Sequence, residues 1–151
     1  MPITIEPALS PHLVVDDAAA AIDFYVKAFG AEELGRVPGP DGRLIHAALR
    51  INGFTVMLND DFPETCGGKS MTPKSLGGTP VTIHQTVTDV DAKFKQAVDA
   101  GATVVAPLAD QFWGDRYGVV EDPFGHRWSL GQPVREVSME EIEAAMSGQA
   151  G

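Results

Sequence analysis

The sequence predicts an α+β protein built from two tandem βαβββ modules, and three observations carry that prediction. The first is an internal repeat. Ser10-Pro11-His12-Leu13-Val14-Val15-Asp16-Asp17 returns as Thr82-Ile83-His84-Gln85-Thr86-Val87-Thr88-Asp89, 72 residues further on, and a repeat this long is one supersecondary unit used twice. The second is that each strand-like stretch is followed by helical periodicity closed by a glycine, Gly30 or Gly101, where a left-handed residue ends a helix. The third is a hairpin signal late in each copy, Asn52-Gly53 and Asp122-Pro123-Phe124-Gly125, with residue types that preset φ or tolerate φ > 0. One domain is expected over 1–151, with modules at about 8–60 and 80–132 and a helical appendage at 138–147.

In the first module a strand is expected from Leu9 to Val15, with Ser10, His12 and Val14 on one face. Asp17 caps a helix whose apolar positions Ile22, Tyr25, Val26 and Phe29 fall on one side. A second strand starts near Glu32, and the cluster Pro38-Gly39-Pro40-Asp41-Gly42 turns the chain into a third from Leu44 to Ile51. Asn52-Gly53 then returns Phe54 to Asn59 antiparallel, placing Ala48 opposite Met57 and His46 on their face. Residues 60–80, rich in Gly and Pro, form a long loop.

The second module repeats the order. Asp89 caps a helix with Phe94, Ala97 and Val98 inward, a short strand covers Thr103-Val104-Val105, and the Asp122–Gly125 turn joins the last two strands. If Glu121 pairs with His126, then Arg116, Gly118, Arg127 and Ser129 share a polar face, and Val119, Trp128 and Leu130 an apolar one. That contrast implies a sheet with helices behind and a pocket in front. Ser138-Met139-Glu140-Glu141 is a capping box opening a terminal helix through Met146.

Composition narrows the partners. A formal charge of −10 and no cluster of Lys and Arg argue against nucleic acid and anionic membranes, whose phosphates demand concentrated positive charge. No apolar run is long enough to span a bilayer, and the N-terminus has no signal-peptide pattern. The single cysteine, Cys66, suits a reducing compartment. A cytoplasmic protein is expected.

The duplicated βαβββ pattern, together with Leu13-Val14-Val15-Asp16-Asp17 through Phe24-Tyr25, Ser75-Leu76-Gly77-Gly78, Asp110 to Tyr117 and Asp122 to Trp128, resembles the vicinal-oxygen-chelate superfamily of glyoxalases, bleomycin-resistance proteins and dioxygenases. The wording is closest to its PhnB-like branch. The resemblance covers residues 8–132 and implies modules curling into a curved eight-stranded half-barrel with helices outside. A ligand would lie in the concave face, and the assembly would be a homodimer. It also implies metal ligands at positions that here hold Ser10, Thr82, Met57 and Ser129, so the usual ligand set is missing.

His12 and His84 lie two residues beyond the first-strand positions, on the same face, and the repeat makes them equivalents; His46 joins them as a third candidate. Imidazoles suit acid–base work near neutrality, or a divalent metal such as Zn, Ni, Mn or Fe held by His12 and His84. The other reading of each, and the one ligand-type grounds favour over a metal ligand, is a hydrogen-bonded pocket or core histidine. His126 is expected to brace its hairpin. In the loop entering the last hairpin, Trp113 could lid a pocket, and Asp115 and Arg116 either bind ligand or pair with each other; Arg127, Ser129 and Gln111 complete the candidate contacts. Two functions follow. One is a metal-dependent lyase, isomerase, transferase or dioxygenase acting on a small oxygen-rich substrate; the other is a non-catalytic, antibiotic-type small-molecule binding protein.

Overall fold

The computed structural model describes residues 2–149; Met1, Ala150 and Gly151, at the ends of the expected domain, lie outside the described residues. The first module runs β1 (His12–Val15), α1 (Ala18–Phe29), β2 (Glu32–Pro38), β3 (Leu44–Ile51) and β4 (Phe54–Asp60). A 3-10 turn (Pro63–Thr65) and the short helix α2 (Pro73–Leu76) interrupt the connecting loop. The second module runs β5 (Thr82–Thr86), α3 (Val90–Ala100), β6 (Thr103–Asp110), β7 (Asp115–Glu121) and β8 (Arg127–Pro133), followed by α4 (Met139–Gln149). The strands form two four-stranded sheets of identical order, β1-β4-β3-β2 and β5-β8-β7-β6. In each, the first strand lies parallel to the last, and the helix after the first strand supplies the crossover that parallel pairing needs.

Local chemistry explains the boundaries. The Asp17 side chain accepts from the Ala20 amide, and Gly30, at φ 66°, closes α1 with its amide bonded to the last turn. Asn52 and Gly53 both take positive φ, and Ala48 stands opposite Met57. Ser138 Oγ accepts from the Glu141 amide at the start of α4.

One core joins the modules. Helices α1 and α3 pack on each other, and Tyr25 and Phe29 of α1 reach Trp128 on β8 with ring centroids 5.3 and 4.7 Å apart. Trp128 is completely buried, as expected. Beside it the buried Asp122 carboxylate accepts from Tyr25 Oη (2.6 Å), Trp128 Nε1 (2.9 Å) and the amides of Phe124 and His126 (2.9 Å each). Burial first, then the adjacent Asp122 charge, hold the Tyr25 hydroxyl well above its ordinary pKa, so it stays a proton donor. Two further bonds cross the seam: His126 Nε2 donates to the Val14 carbonyl and Asn52 Nδ2 to the Thr86 carbonyl, both at 2.9 Å. Val14 and Thr86 are equivalent positions of the repeat, so each module's last turn ties down the other's first strand.

Several expectations need correction. Glu121 pairs with Arg127, not His126, because Pro123-Phe124-Gly125 makes a three-residue loop with Gly125 at φ 93° and the Asp122 amide bonded to the His126 carbonyl. The shift moves every β7 side chain to the other face. Tyr117 and Val119 share the front with Arg127, Ser129 and Gly131, whereas Arg116, Gly118 and Val120 lie behind with Trp128 and Leu130. Asp89 does not cap α3 with its side chain; it sits at φ 52°, and the Val90 amide is instead bonded by Gln132 Oε1. The strand at Thr103 extends to Asp110, and the first strand starts only at His12. His126 braces the opposite module's β1 as well as its own turn.

Candidate functional site

On the front of the second sheet, β5 places the exposed His84 directly across from Ser129 of β8. His84 Nδ1 and Ser129 Oγ are 2.8 Å apart, and Nε2 lies 3.4 Å from Thr86 Oγ1. The imidazole lies nearly parallel to the Tyr117 ring at 5.9 Å between centroids; Trp113 meets Tyr117 edge-on at 5.7 Å, and Phe112 meets Trp113 at 5.1 Å. Gly131 makes room for this arrangement, since a Cβ there would come within 2.9 Å of His84 Cε1. The result is an aromatic shelf with one imidazole whose ring plane and hydrogen-bonding are set from behind by a buried hydroxyl. Tyr117 and Gly131 were not among the sequence-derived candidates. Their signal was present in the alternation with Val119 and Ser129, but only the corrected register reads it.

The first module offers a different face. His12 lies opposite Met57, the repeat equivalent of His84 opposite Ser129, and its ring meets His46 edge-on at 6.0 Å. The structure thus brings His12 to His46 and gathers His84 with Ser129, Tyr117 and Trp113. His12 lines a cavity of about 560 Å³ with His126, and His84 lines one of about 460 Å³; Leu9, Pro11 and Ile83 belong to the walls of both. The two histidines therefore flank the seam from adjoining hollows.

The remaining candidates are mostly engaged. Arg116 lies behind the sheet rather than on the concave rim, because the register shift reverses its face, and it grips Asp91 of α3 at 2.9 Å and Asp110 at 3.1 Å. Those hydrogen bonds, Asp91's first, raise the guanidinium's pKa further and lower that of Asp91. It does not pair with Asp115. Arg127 faces front, 3.6 Å from Glu121 across the hairpin. Gln111 Nε2 donates to the Ala109 carbonyl, and the Asp115 carbonyl accepts from the Gln111 amide, so both shape the loop that carries Trp113.

The donor set does not fit the metal implied by the resemblance. Its four positions present the Ser10 and Thr82 hydroxyls, the Met57 thioether and a Ser129 hydroxyl already shared with His84, and among the described residues no three His, Cys, Asp or Glu side chains converge.

Comparison with known proteins agrees with this architecture. The profile described as Glyoxalase/Bleomycin resistance protein/Dioxygenase superfamily matches residues 5–130. An uncharacterized protein of Mycobacterium bovis is 83% identical over 149 residues, covering 99% of this chain and 98% of that one. The crystal structure of TioX from Micromonospora sp. ML1 is 32% identical with a TM-score of 0.66, covering 85% of this chain and 100% of TioX. The genomically encoded fosfomycin resistance protein FosX of Listeria monocytogenes shares the fold at 18% identity and a TM-score of 0.62, over 91% of this chain and 98% of FosX.

Proposed function

This chain belongs to the Glyoxalase/Bleomycin resistance protein/Dioxygenase superfamily, and we propose that within it the chain is a small-molecule binding protein that holds a flat, hydrogen-bonding ligand without metal-dependent turnover. The observation that carries this reading is the exchange of chelating side chains for a stacking surface. Where the superfamily places metal ligands the chain has Ser10, Met57, Thr82 and Ser129, and beside Ser129 it has His84, Tyr117 and Trp113 in mutual contact. A π-face on Trp113 and Tyr117 supplies area, and the oriented imidazole supplies one directional bond. An antibiotic-type compound fits that description.

The narrower readings belong here too. The sequence wording supports the PhnB-like branch. A homodimer is supported by β2 and β6, whose edges lie open and whose residues are mostly exposed, since an open sheet edge is stable in solution when a second chain covers it. The exposed, unpaired Cys66 suits a reducing cytoplasm.

The experiment is titration of the protein, stripped with a chelator, with bleomycin and other flat heteroaromatic compounds while Trp fluorescence is followed. Saturable quenching that W113A and H84A both weaken is the expected result. Binding that appears only after Zn, Ni, Mn or Fe is restored would overturn the proposal in favour of a metal-dependent enzyme.

A further inference from the structure

Behind the second sheet, β5 turns Ile83 and Gln85 toward the shared core, and Val87 follows just past its end. Gln85 is only 7% exposed, and its Nε2 is the one buried side-chain nitrogen or oxygen without a hydrogen-bond partner among the described residues. The other buried polar side chains, Asp60, Thr72, Asp122 and Ser129, are all bonded. A buried amide nitrogen left unpaired is costly, so an orphan among satisfied neighbours marks a place where an acceptor belongs.

Space for one exists. Gln85 is common to the walls of two cavities: the one of about 460 Å³, walled also by Ile51, Phe54, Val56, Ile83 and Trp128, and one of about 190 Å³ behind it, between α1, α3 and the sheet, walled by Phe29, Val87 and Leu130. The larger falls within the roughly 300–1,000 Å³ range of small-molecule sites. Its walls come from both modules and are mostly aliphatic or aromatic, with Asn52, Thr55, His84 and Thr86 as their other polar members.

We infer that this seam is a second ligand site, adjoining the aromatic shelf and sharing only His84 with it, which takes an elongated, largely apolar small molecule whose carbonyl oxygen accepts a hydrogen bond from Gln85 Nε2. Beside Ile51, Val56, Ile83 and Trp128 the wall is apolar and disfavours an ionic group, because a charge there would lose its hydration without a partner. A single donor at the junction of the two hollows fixes where along the ligand the carbonyl lies. Because Ile51 and Val56 belong to one module and Ile83 and Trp128 to the other, an occupant strengthens their docking and raises the melting temperature by mass action.

The test uses 2-octanone with the full chain, wild type and Q85L, with Q85M as the variant closer in shape, followed by two-dimensional 1H–15N NMR and thermal melting. The expected result is a saturable shift of the Gln85 side-chain amide and the Trp128 indole with the Trp113 indole unmoved. Q85L or Q85M should melt no lower than wild type, because it removes an unpaired polar group, yet bind 2-octanone about tenfold more weakly. The proposal is overturned if no saturable shift develops up to the ketone's solubility limit. It is equally overturned if the shifts centre on Trp113, or if the folded variant binds to within roughly twofold of wild type. The Trp113 indole, which lines the shelf and not the seam, separates these outcomes from binding at the aromatic shelf.

Discussion

Replacing Asp122 by Asn tests the hub that joins the modules while hardly changing shape. The carboxylate is acceptor-only and receives four donors: one oxygen takes Tyr25 Oη at 2.6 Å and Trp128 Nε1 at 2.9 Å, the other the amides of Phe124 and His126 at 2.9 Å. An Asn amide must turn its NH₂ toward one of those pairs, so two donors meet a donor whichever way it flips. Two charge-assisted bonds are lost inside a buried site, which costs about 3–5 kcal/mol. Against a total stability of roughly 5–15 kcal/mol this is a large fraction. Urea denaturation, with the m-value checked for constancy, measures it. A D122N loss under about 1 kcal/mol would refute the hub, since an exposed or water-relieved carboxylate would lose no more than that. The partner variant Y25F removes one donor and should cost about 1–3 kcal/mol. It also sets the pH response. Tyr25's folded pKa lies above its unfolded value, so the protonated hydroxyl's contribution is fully present below about pH 10 and is lost as pH rises through the folded pKa. Wild type should therefore lose stability above pH 10 more steeply than Y25F, and parallel profiles would remove Tyr25 from the account.

Other variants probe the faces. W128A should cost about 3–5 kcal/mol of stability by urea midpoint, because the ring is wholly buried against Tyr25 and Phe29. G118A should destabilise by about 1–3 kcal/mol, since its Cβ would stand 2.6 Å from Phe94 Cε2 and 3.0 Å from the Leu108 Cα, and backbone cannot move aside cheaply. G131A should displace the His84 imidazole and weaken ligand binding on the shelf while the protein still folds cooperatively; unchanged His84 ring NMR chemical shifts would count against the close contact. R116A should leave ligand affinity unchanged, because the guanidinium is committed to Asp91 and Asp110 behind the sheet, and a large loss of affinity by titration calorimetry would return it to the site.

Much of the architecture was legible because it is locally encoded. The 72-residue repeat, the caps at Asp17 and Gly30, the Asn52-Gly53 turn and the Ala48–Met57 pairing each depend on residues close together in the chain or on strict alternation. The front-facing His12, His84 and Ser129 follow from the same alternation. Only tertiary structure decided the register of the last hairpin. Asp122-Pro123-Phe124-Gly125 is compatible with a two- or three-residue loop, and the choice falls to Asp122, whose carboxylate is claimed by Tyr25 97 residues away as well as by its own turn. That single step carried Arg116 to the back and Tyr117 to the front. The same reason hid the Val14–His126 bond, the Gln132 cap on α3 and the unpaired Gln85: each is set by which groups far along the chain a side chain does or does not meet, and local periodicity records none of that.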